Sequence, residues 1–595
     1  MFAPNTTIYG CSVPLTMGDG KQMDFSTRTA QRDYFIGLHT HVWTHYNYQR
    51  KDHSIVVEID GGVDALSNVN YIMYQNTNFK QADGTYKWFY CFVTKREWVS
   101  ENAARLQLKT DVFQTWLFDF ELKPSMVVRE HTPTDVAYEH TLPEDLPSSE
   151  LIEMKRMRVQ PFDMDAATKA EFDENFMIMY AMSDTVPDIE PAPGDLPANG
   201  DFDEYLGGMP AGIRYYAIER SRIREFWNKV NAEGKIDAII AAYVVPKKAC
   251  NWVQLHSPQY SPSYYTWIYT PNEKDFPYQT FTVAKNKTIG DVWTFKNNKI
   301  LCYPFHFYRL STSDGQAVDL KAENFTDVLQ YNMRFSVSFN SQVNAELFVC
   351  PVKYCNRTNQ SEGRSPEYGV RYSDFPEIPS ISNAYQNYVA LHKTQIALEI
   401  GKIAAKAALQ IGTGVAAMGA NFTGGAATAT LGKAAQSAGG VQISDINKAI
   451  GAEGNAGIIG TTGDALTLFA QLHDMKRQPE RSNGRASGCT LQQNNCAGVY
   501  LSEVCMRKEY LDIIDNYFTM YGYKVMQMKK PQYNSRPLFN YVQTVNIDIS
   551  GGGTTAIPQD DLTELAAMFD SGLTVWHISK GATFGSYAGN NAPTS

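Results

Sequence analysis

The sequence has 595 residues, a length that ordinarily corresponds to about four domains. Hydrophobic residues make up 43% and charged residues 19%, which excludes global disorder, collagen, a coiled-coil rod and a protein with several membrane-spanning helices. The formal net charge of −10 is opposite in sign to the charge of a protein that binds DNA through its phosphates.

The first 130 residues are dominated by β patterning, in which apolar and polar residues alternate. The patterns predict strands at 54–60, 71–74, 86–93 and 105–112. The first of these ends at Gly61-Gly62, and Asp83-Gly84 between the second and third is a turn pair typical of a hairpin;. The N-terminal part of the chain is therefore predicted to form an antiparallel sheet.

The middle of the chain is predicted to be mixed. Prolines punctuate residues 131–205, among them Pro143, Pro147, Pro187, Pro191, Pro193 and Pro197, and the acidic stretch near 183–205 predicts an exposed loop;. Apolar residues at helical spacing predict a helix over 215–243;. The clean alternation at 333–339 predicts a strand of an antiparallel sheet with one face in solvent;.

The last hundred residues are again regular. Amphipathic patterns predict helices over 503–521 and Gln559–Ser571, each followed by a glycine that ends the helix;. Between them, residues 541–549 alternate as a strand does;.

A segment without charges interrupts this order. Between Lys406 and Lys433 lie 26 uncharged residues, mostly Ala, Gly and Thr, flanked by helix-like patterns. Its larger apolar residues are Leu409, Ile411, Val415, Met418, Phe422 and Leu431. Exposed apolar surface costs free energy in water, so the segment is unusual for a surface loop. Its length exceeds that of one bilayer-spanning helix, but several glycines disfavour a helix in water. Three interpretations remain open: a buried helical hairpin, a flexible linker, and a sheltered loop that is released to act on a membrane.

Enzyme chemistry has no convincing candidate in the sequence. Gly412-x-Gly414-x-x-Ala417 follows a helix-like stretch, whereas a dinucleotide-binding loop follows a strand;. Gly432-Lys433 lacks the glycine and hydroxyl residue of a phosphate-binding loop;. The carboxylates are too scattered to nominate a glycosidase pair. No catalytic residue and no cofactor is predicted.

Two features bear on metal binding and redox state. His39, His41 and His45 would share a face of a regular strand;, which allows a metal site, but imidazoles that are exposed or stacked beside Trp43 are the favoured interpretation, so no metal is predicted. The nine cysteines are odd in number and lack zinc-pair spacing;, which predicts reduced, mostly buried thiols. The N-terminus lacks the features of a signal peptide, so synthesis in a cytoplasm is expected.

Several motifs near both ends resemble those of one family, the tail knob (distal tail tube) proteins of small short-tailed bacteriophages, the podoviruses. The motifs are YIMYQN at 71–76, KWFY at 87–90, DVFQTW at 111–116, VVREH at 127–131, YGYK at 521–524, KKP at 529–531, FNYVQT at 539–544 and FDSGLTVWH at 569–577. The motif residues expected to be structural are Trp88, Asp111, Trp116, Arg129, Tyr521, Lys524, Tyr541 and Trp576. The resemblance covers about 55–145 and 495–580.

This resemblance implies a mainly β fold with some α, in a multi-domain, tube-forming subunit that closes into a ring. The implied regions are an N-terminal tube domain (1–135), middle β-rich or mixed domains (136–385), a long, partly helical apolar loop with helical shoulders (386–490), and a C-terminal part that completes the tube domain (491–595).

The resemblance also implies the function and the partners. Six copies would form a tube at the distal end of the phage tail in the virion, contact the upper tail and connector proteins, and conduct double-stranded DNA during ejection without binding it tightly. The apolar loops would plug the lumen and then penetrate the host cell membrane. The alternative is a tail protein that binds a receptor or wall polysaccharide through the aromatic stretch at 256–278, since sugar rings stack on Trp and Tyr. A wall hydrolase is the weakest hypothesis.

Overall fold

The architecture is known from a computed structural model, in which part of the chain is described. The described residues are 6–46, 54–80, 84–159, 168–184, 204–205, 209–210, 214–249, 252–254, 266–268, 274–326, 330–340, 345–355, 363–373, 375, 377–378, 380–382, 388, 392, 474, 477, 481–483, 498–552 and 556–593.

Within these ranges the chain is mostly β-sheet with a few helices. The strands of the N-terminal part are β1 (Thr6–Cys11), β2 (Lys21–Asp24), β3 (His39–Tyr46), β4 (Ser54–Glu58), β5 (Tyr71–Lys80), β6 (Tyr86–Ser100), β7 (Ala103–Thr110), β8 (Phe120–Leu122) and β9 (Ser125–Glu130). Those of the middle are β10 (Leu151–Arg158), β11 (Phe176–Met182), β12 (Glu204–Tyr205), β13 (Met209–Pro210), β14 (Arg214–Ile218), β15 (Ile239–Pro246), β16 (Trp252–Gln254), β17 (Thr266–Ile268), β18 (Lys274–Asp275), β19 (Gln279–Thr282), β20 (Thr288–Ile289), β21 (Trp293–Thr294), β22 (His306–Thr312), β23 (Ala317–Leu320), β24 (Asn332–Asn340), β25 (Glu346–Val352) and β26 (Val370–Tyr372). The later strands are β27 (Ser380–Ser382), β28 (Arg481–Asn483), β29 (Val499–Met506), β30 (Tyr523–Lys529), β31 (Phe539–Val545), β32 (Ile549–Gly551) and β33 (Leu573–His577).

The α-helices of these ranges are α1 (Arg28–Gly37), α2 (Val112–Trp116), α3 (Lys169–Asn175), α4 (Ile223–Ala232), α5 (Lys508–Tyr521) and α6 (Gln559–Ser571). Among the described residues, no helix is both long and apolar enough to cross a bilayer. The predicted fold class, mainly β with some α in several domains, is confirmed. Ring closure, the apolar loop and the predicted domain boundaries stay predictions.

Two sheets at one end of the molecule share the N-terminal residues. The first sheet has the order β3-β1-β5-β6-β7-β4 and comes entirely from the N-terminal part. The second has the order β2-β33-β31-β9-β30, so strands from both ends of the sequence alternate in it. Strands β2 and β33 pair in parallel, with Met23 beside Trp576. The two ends of the chain are therefore joined by backbone hydrogen bonds within one sheet.

Three further sheets, of four, five and five strands, are built mostly from strands in the middle of the chain. Their orders are β10-β29-β22-β23, β15-β11-β14-β17-β16 and β18-β24-β25-β26, with β19 also paired to β24. Strand β29, which follows the uncharged segment, lies between β10 and β22, which precede it. Residues from all three sheets contribute to one buried hydrophobic core, because each sheet covers its apolar face against another element.

Most predicted elements near the chain ends agree with the structure. Helix α6 has the predicted bounds, and Gly572 follows it with a φ of 94°. The predicted strands at 54–60, 71–74, 86–93 and 105–112 correspond to β4, β5, β6 and β7.

Three predicted elements were wrong in part. The helix predicted over 215–243 is only α4, because Gly234, with a φ of 69°, ends it and both flanks pair in a sheet as β14 and β15. In the helix predicted over 503–521, residues up to Met506 belong to β29 and only Lys508–Tyr521 is helical. The strand predicted over 541–549 is divided, since Asn546 has a φ of 51° and separates β31 from β32.

Candidate functional site at the joined chain ends and the neck

Asp111 organises a buried polar network beside the N-terminal sheet. Its Oδ1 accepts the backbone N–H of Gln114 at 3.2 Å, which caps the N-terminus of α2;. The same carboxylate accepts hydrogen bonds from the Tyr71 hydroxyl at 3.0 Å and the Gln22 amide at 3.3 Å. Burial raises the pKa of Asp111 to about 6, although these hydrogen bonds oppose the rise. Its role is therefore to hold three separate segments together.

Trp116 joins the N-terminal part to the C-terminal helix α6. Its indole N–H donates to the Asp561 carboxylate at 2.9 Å, and the Lys87 ammonium lies 4.1 Å from the centre of its ring. Lys87 is 2% exposed and donates to the Asp119 carboxylate at 2.6 Å. Burial lowers the pKa of Lys87, and the charge of Asp119 opposes this shift.

Arg129 forms a second junction, between β9 and the start of β30. Its guanidinium group donates to the carboxylate of Glu144 and to the carbonyl oxygen of Gly522, the latter at 2.9 Å. Glu144 also accepts the backbone N–H of Lys524 at 2.9 Å and lies 3.7 Å from the Lys299 ammonium group. These charges are almost fully buried, and a buried charge is tolerated only when it is paired in this way.

His131 connects α5 to β31. Its Nδ1 accepts the backbone N–H of Tyr541 at 2.8 Å, so the proton of the neutral ring is on Nε2, which donates to the Thr519 carbonyl at 3.0 Å;. The ring of Tyr541 also packs edge-on against Tyr521, with the ring centres 5.2 Å apart. Burial, followed by the charge of Arg536, lowers the pKa of His131 to about 3.

This shift predicts a loss of stability in acid. Unfolded histidine binds a proton near pH 6.5, so between pH 6.5 and 3 the unfolded chain holds more protons at residue 131. The free energy of unfolding should then fall as the pH is lowered through this window. When the pH is lowered from 7 to 4.5, we expect the free energy of unfolding measured in urea to fall by about 2 kcal/mol less for His131→Asn than for the wild type. Equal losses in the two proteins would contradict this role of His131.

The remaining family-motif residues are also placed. Trp576 is fully buried and packs on Phe539, with ring centres 4.6 Å apart. Its neighbour His577 hydrogen-bonds to Asp24 of β2 at 3.0 Å, across the parallel pair. Trp88 lies on β6 and packs against Tyr9, with ring centres 5.9 Å apart. The motif residues thus lie at contacts that join segments far apart in the sequence.

The structure also shows where the uncharged segment is attached. Strand β27 pairs antiparallel with β28, with Ser380 opposite Asn483 and Ser382 opposite Arg481. We call these two strands the neck. Both strands contact β15 of a middle sheet. The two positions that flank residues 383–480 in the sequence, Ser382 and Arg481, are therefore neighbours in space.

The predicted plug side chains themselves lie outside the described residues, as do the helical shoulders predicted on either side of them. They are Leu409, Ile411, Val415, Met418, Phe422 and Leu431. Most of the aromatic stretch at 256–278 also lies outside.

The histidine cluster does not have the geometry of a metal site. The β1–β3 register shifts between Gly10 and Cys11, which pair with His41 and His39, and such a bulge turns successive side chains to different faces. His39 packs edge-on against Tyr9, whereas His41 stacks on Trp43 at 5.5 Å. The expectation that these two share a strand face was wrong. Within the described part of the chain, no group of three or more His, Cys, Asp or Glu side chains could hold a metal ion.

Cys11, Cys302, Cys355 and Cys505 are free thiols in the part of the chain that the structure describes, which also contains Cys91 and Cys350. All except Cys355 are buried, and burial raises the pKa of Cys11 to about 12, so its thiol stays protonated at neutral pH. Cys250, Cys489 and Cys496 lie outside the described residues.

The buried charges at these junctions were not found from the sequence. Lys87, Asp119, Glu144 and Lys299 are each at most 6% exposed, yet charged residues are usually on the surface. The one available signal was local: Lys87 lies at the start of an apolar run, KWFYCFV, where a charge is unexpected.

Comparison with known proteins gives a consistent result. The family described as Bacillus phage phi29, Tail knob protein gp9, C-terminal domain, matches residues 270–592, and the family described as Caudoviral major tail protein N-terminus matches residues 7–121. Tail knob protein gp9 of Bacillus phage B103 is 23% identical over 610 positions, which cover 95% of each chain. Its counterpart in Bacillus phage phi29 is 23% identical over 580 positions, covering 90% of this chain and 89% of that one.

A solved structure resembles the whole chain. The tail knob protein gp12 of bacteriophage C1 superposes with a TM-score of 0.57 at 12% identity, covering 99% of this chain and 100% of that one. At this identity the likeness concerns the fold.

Proposed function

Because the chain belongs to the family of the Bacillus phage phi29 tail knob protein gp9, we propose that six copies of it form a non-enzymatic tube that conducts DNA out of the phage. The resemblance inferred from the sequence motifs is thereby confirmed, and the protein is a component of the virion, located in the phage tail. Contact with other tail and connector proteins is part of the same proposal.

The observation that carries the proposal is the neck. Strands β27 and β28 pair with each other and hold the two ends of residues 383–480 side by side, so the proposal is that this stretch changes position while the body keeps its sheets. A plug must have this property, since it fills the tube in one state and leaves it in another. The uncharged part of the stretch, 407–432, is suited to that task, because this part brings no charged side chain out of water when it fills the bore or enters a membrane;.

Six-fold assembly would explain how a segment with few large apolar residues can plug the tube and act on a membrane. Six identical loops would meet on a common axis and cover one another's apolar surface, which lowers the cost of exposing it to water. Small residues such as Ala and Gly allow neighbouring copies to pack closely, in water or in lipid. Released together, the six segments would act on the host membrane with the avidity of a multivalent ligand.

The charge of the assembly also suits a DNA conduit. Six copies carry a formal charge of 6 × −10, or −60. DNA is repelled by a surface of like charge, so the cargo would pass without being held. Closure into a ring would also remove free sheet edges between subunits, which otherwise favour aggregation.

The mass of the purified protein tests the assembly. Six chains of 66.8 kDa give about 401 kDa, and light scattering coupled to size exclusion is expected to report this value. A mass of 66.8 kDa at micromolar concentration would contradict the proposed tube.

A further inference from the structure

A cavity beside the His131 junction has the features of an anion site. Its volume is about 500 Å³. Its walls come from the 295–297 turn, from Thr519 on α5, and from residues 588–592 near the C-terminus. His131, Lys287 and Arg536 complete the lining.

The C-terminal wall is firmly attached. The Asn591 side chain accepts the backbone N–H groups of Leu538 and Phe539 at 3.0 and 3.2 Å, and it donates to the Phe539 carbonyl at 2.8 Å. A Cβ atom at Gly589 would collide with the side chain of Leu538. The segment therefore closes over the cavity in one defined position.

The cavity contains a buried cation without a matching anion. Arg536 is 5% exposed, its Nε has no hydrogen-bond partner, and its Nη1 makes one long bond, of 3.4 Å, to the Asn591 carbonyl. In the part of the chain that the structure describes, no carboxylate forms an ion pair with Arg536. Burial lowers the pKa of this guanidinium group, and the interaction with the Tyr523 hydroxyl and the charge of Asp135 offset the shift only in part. A buried charge in this condition is costly.

The nearby carboxylates are already engaged elsewhere. Asp135 pairs with Lys287 at 2.9 Å and accepts the Tyr523 hydroxyl at 2.6 Å. Asp515 accepts the backbone N–H groups of Lys296 and Asn297 at 2.8 and 3.0 Å. Lys296 itself is exposed at the rim, where its ammonium group makes a bond of 3.4 Å to an amide oxygen. The free positive charge of the cavity thus comes from Arg536 and Lys296.

We propose that this cavity binds a small oxyanion, of the phosphate or carboxylate type, between the Arg536 guanidinium and the Lys296 ammonium group. An arginine fork matches the two oxygens of such an anion. Charge-assisted hydrogen bonds would compensate the buried charge, and the bound anion would link the Arg536 loop between β30 and β31 to the 295–297 turn. The site is independent of the proposed function, since it concerns neither the neck nor the uncharged segment.

Thermal unfolding in inorganic phosphate tests the proposal. At constant ionic strength, with chloride as the reference, phosphate is expected to raise the Tm of the wild type along a saturable curve, as a ligand specific for the folded state does. Acetate in a parallel titration shows whether a carboxylate also fits. A Tm that does not respond to either anion would overturn the proposal.

Matched variants locate the effect. Lys296→Gln should weaken phosphate binding about fivefold and Arg536→Gln about tenfold or more, whereas Lys95→Gln, on β6 and outside the cavity lining, should bind as the wild type does. If Arg536→Gln does not fold, Lys296→Gln decides the question. The Lys296 side chain is exposed, so removing its charge does not disturb the core. An unchanged phosphate midpoint in Lys296→Gln would overturn the assignment.

Discussion

Liposomes loaded with dye are expected to leak when they meet the wild-type protein at low pH, and to remain intact with a variant lacking 407–463. The six larger apolar residues of the uncharged segment each contribute about 2 kcal/mol when they are buried in lipid, and backbone groups without partners oppose this gain. One copy would therefore insert weakly, while six tethered copies would insert together. The deletion removes all six side chains and with them the free energy that their burial in lipid contributes.

The deletion should leave the assembly intact. The neck strands lie outside the deleted range, so the ladder between Ser380–Ser382 and Arg481–Asn483 can still form. Light scattering should report the hexamer for both proteins.

A second variant tests whether dye release depends on the apolar side chains of the segment or only on its length. It keeps every residue but changes Leu409, Ile411, Val415, Met418, Phe422 and Leu431 to Ser. We expect this variant to release almost no dye, because its segment has lost its larger apolar side chains. Leakage equal to that of the wild type from either variant, with the hexamer preserved, would rule out the membrane role of the segment.

Gly522→Ala is expected to cause the largest loss of stability of any single change at the joined chain ends. Gly522 ends α5 with φ 64° and ψ −152°, a conformation that is almost exclusive to glycine. A Cβ atom there would collide with the Glu130 carbonyl and lie 2.6 Å from the His131 nitrogen. Both obstacles are backbone, so the junction of α5, β9 and β30 must move apart. We expect a loss of about 4 kcal/mol in the free energy of unfolding.

Gly581→Ala is the matched control. Gly581 also has a positive φ, of 88°, but a Cβ atom there would have nothing within 4 Å. It should cost about 1 kcal/mol, which is the conformational penalty alone. If urea unfolding gives the same loss of stability for both variants, the backbone of Glu130 and His131 does not obstruct a Cβ atom at position 522.

Local features explain which parts of the fold were predictable from the sequence. Helix α6 was predicted with its bounds, since its apolar stripe and the glycine after it act within a few residues. Strand β24 was predicted from alternation alone, but the solvent-exposed face expected for it was wrong, because Ser336 and Ser338 on that face are also buried. The helix over 215–243 was predicted too long because short apolar strands on both sides happened to continue its period.

Long-range features explain what was missed. The neck pairs two three-residue strands, SIS and RSN, that are about a hundred positions apart and have no β pattern of their own. The pair of Lys87 with Asp119 is likewise set by tertiary packing. The motif residues were predicted to be structural, whereas the joining of the two chain ends in one sheet is visible only in the sheet order.

Negative-stain electron microscopy of the purified protein tests the central claim, that six uncharged segments close a common bore. We expect six-fold symmetric rings with density in the bore, and rings of the same diameter with an open bore for the variant lacking 407–463. Single particles without a bore, or an equally blocked bore in that variant, would contradict it.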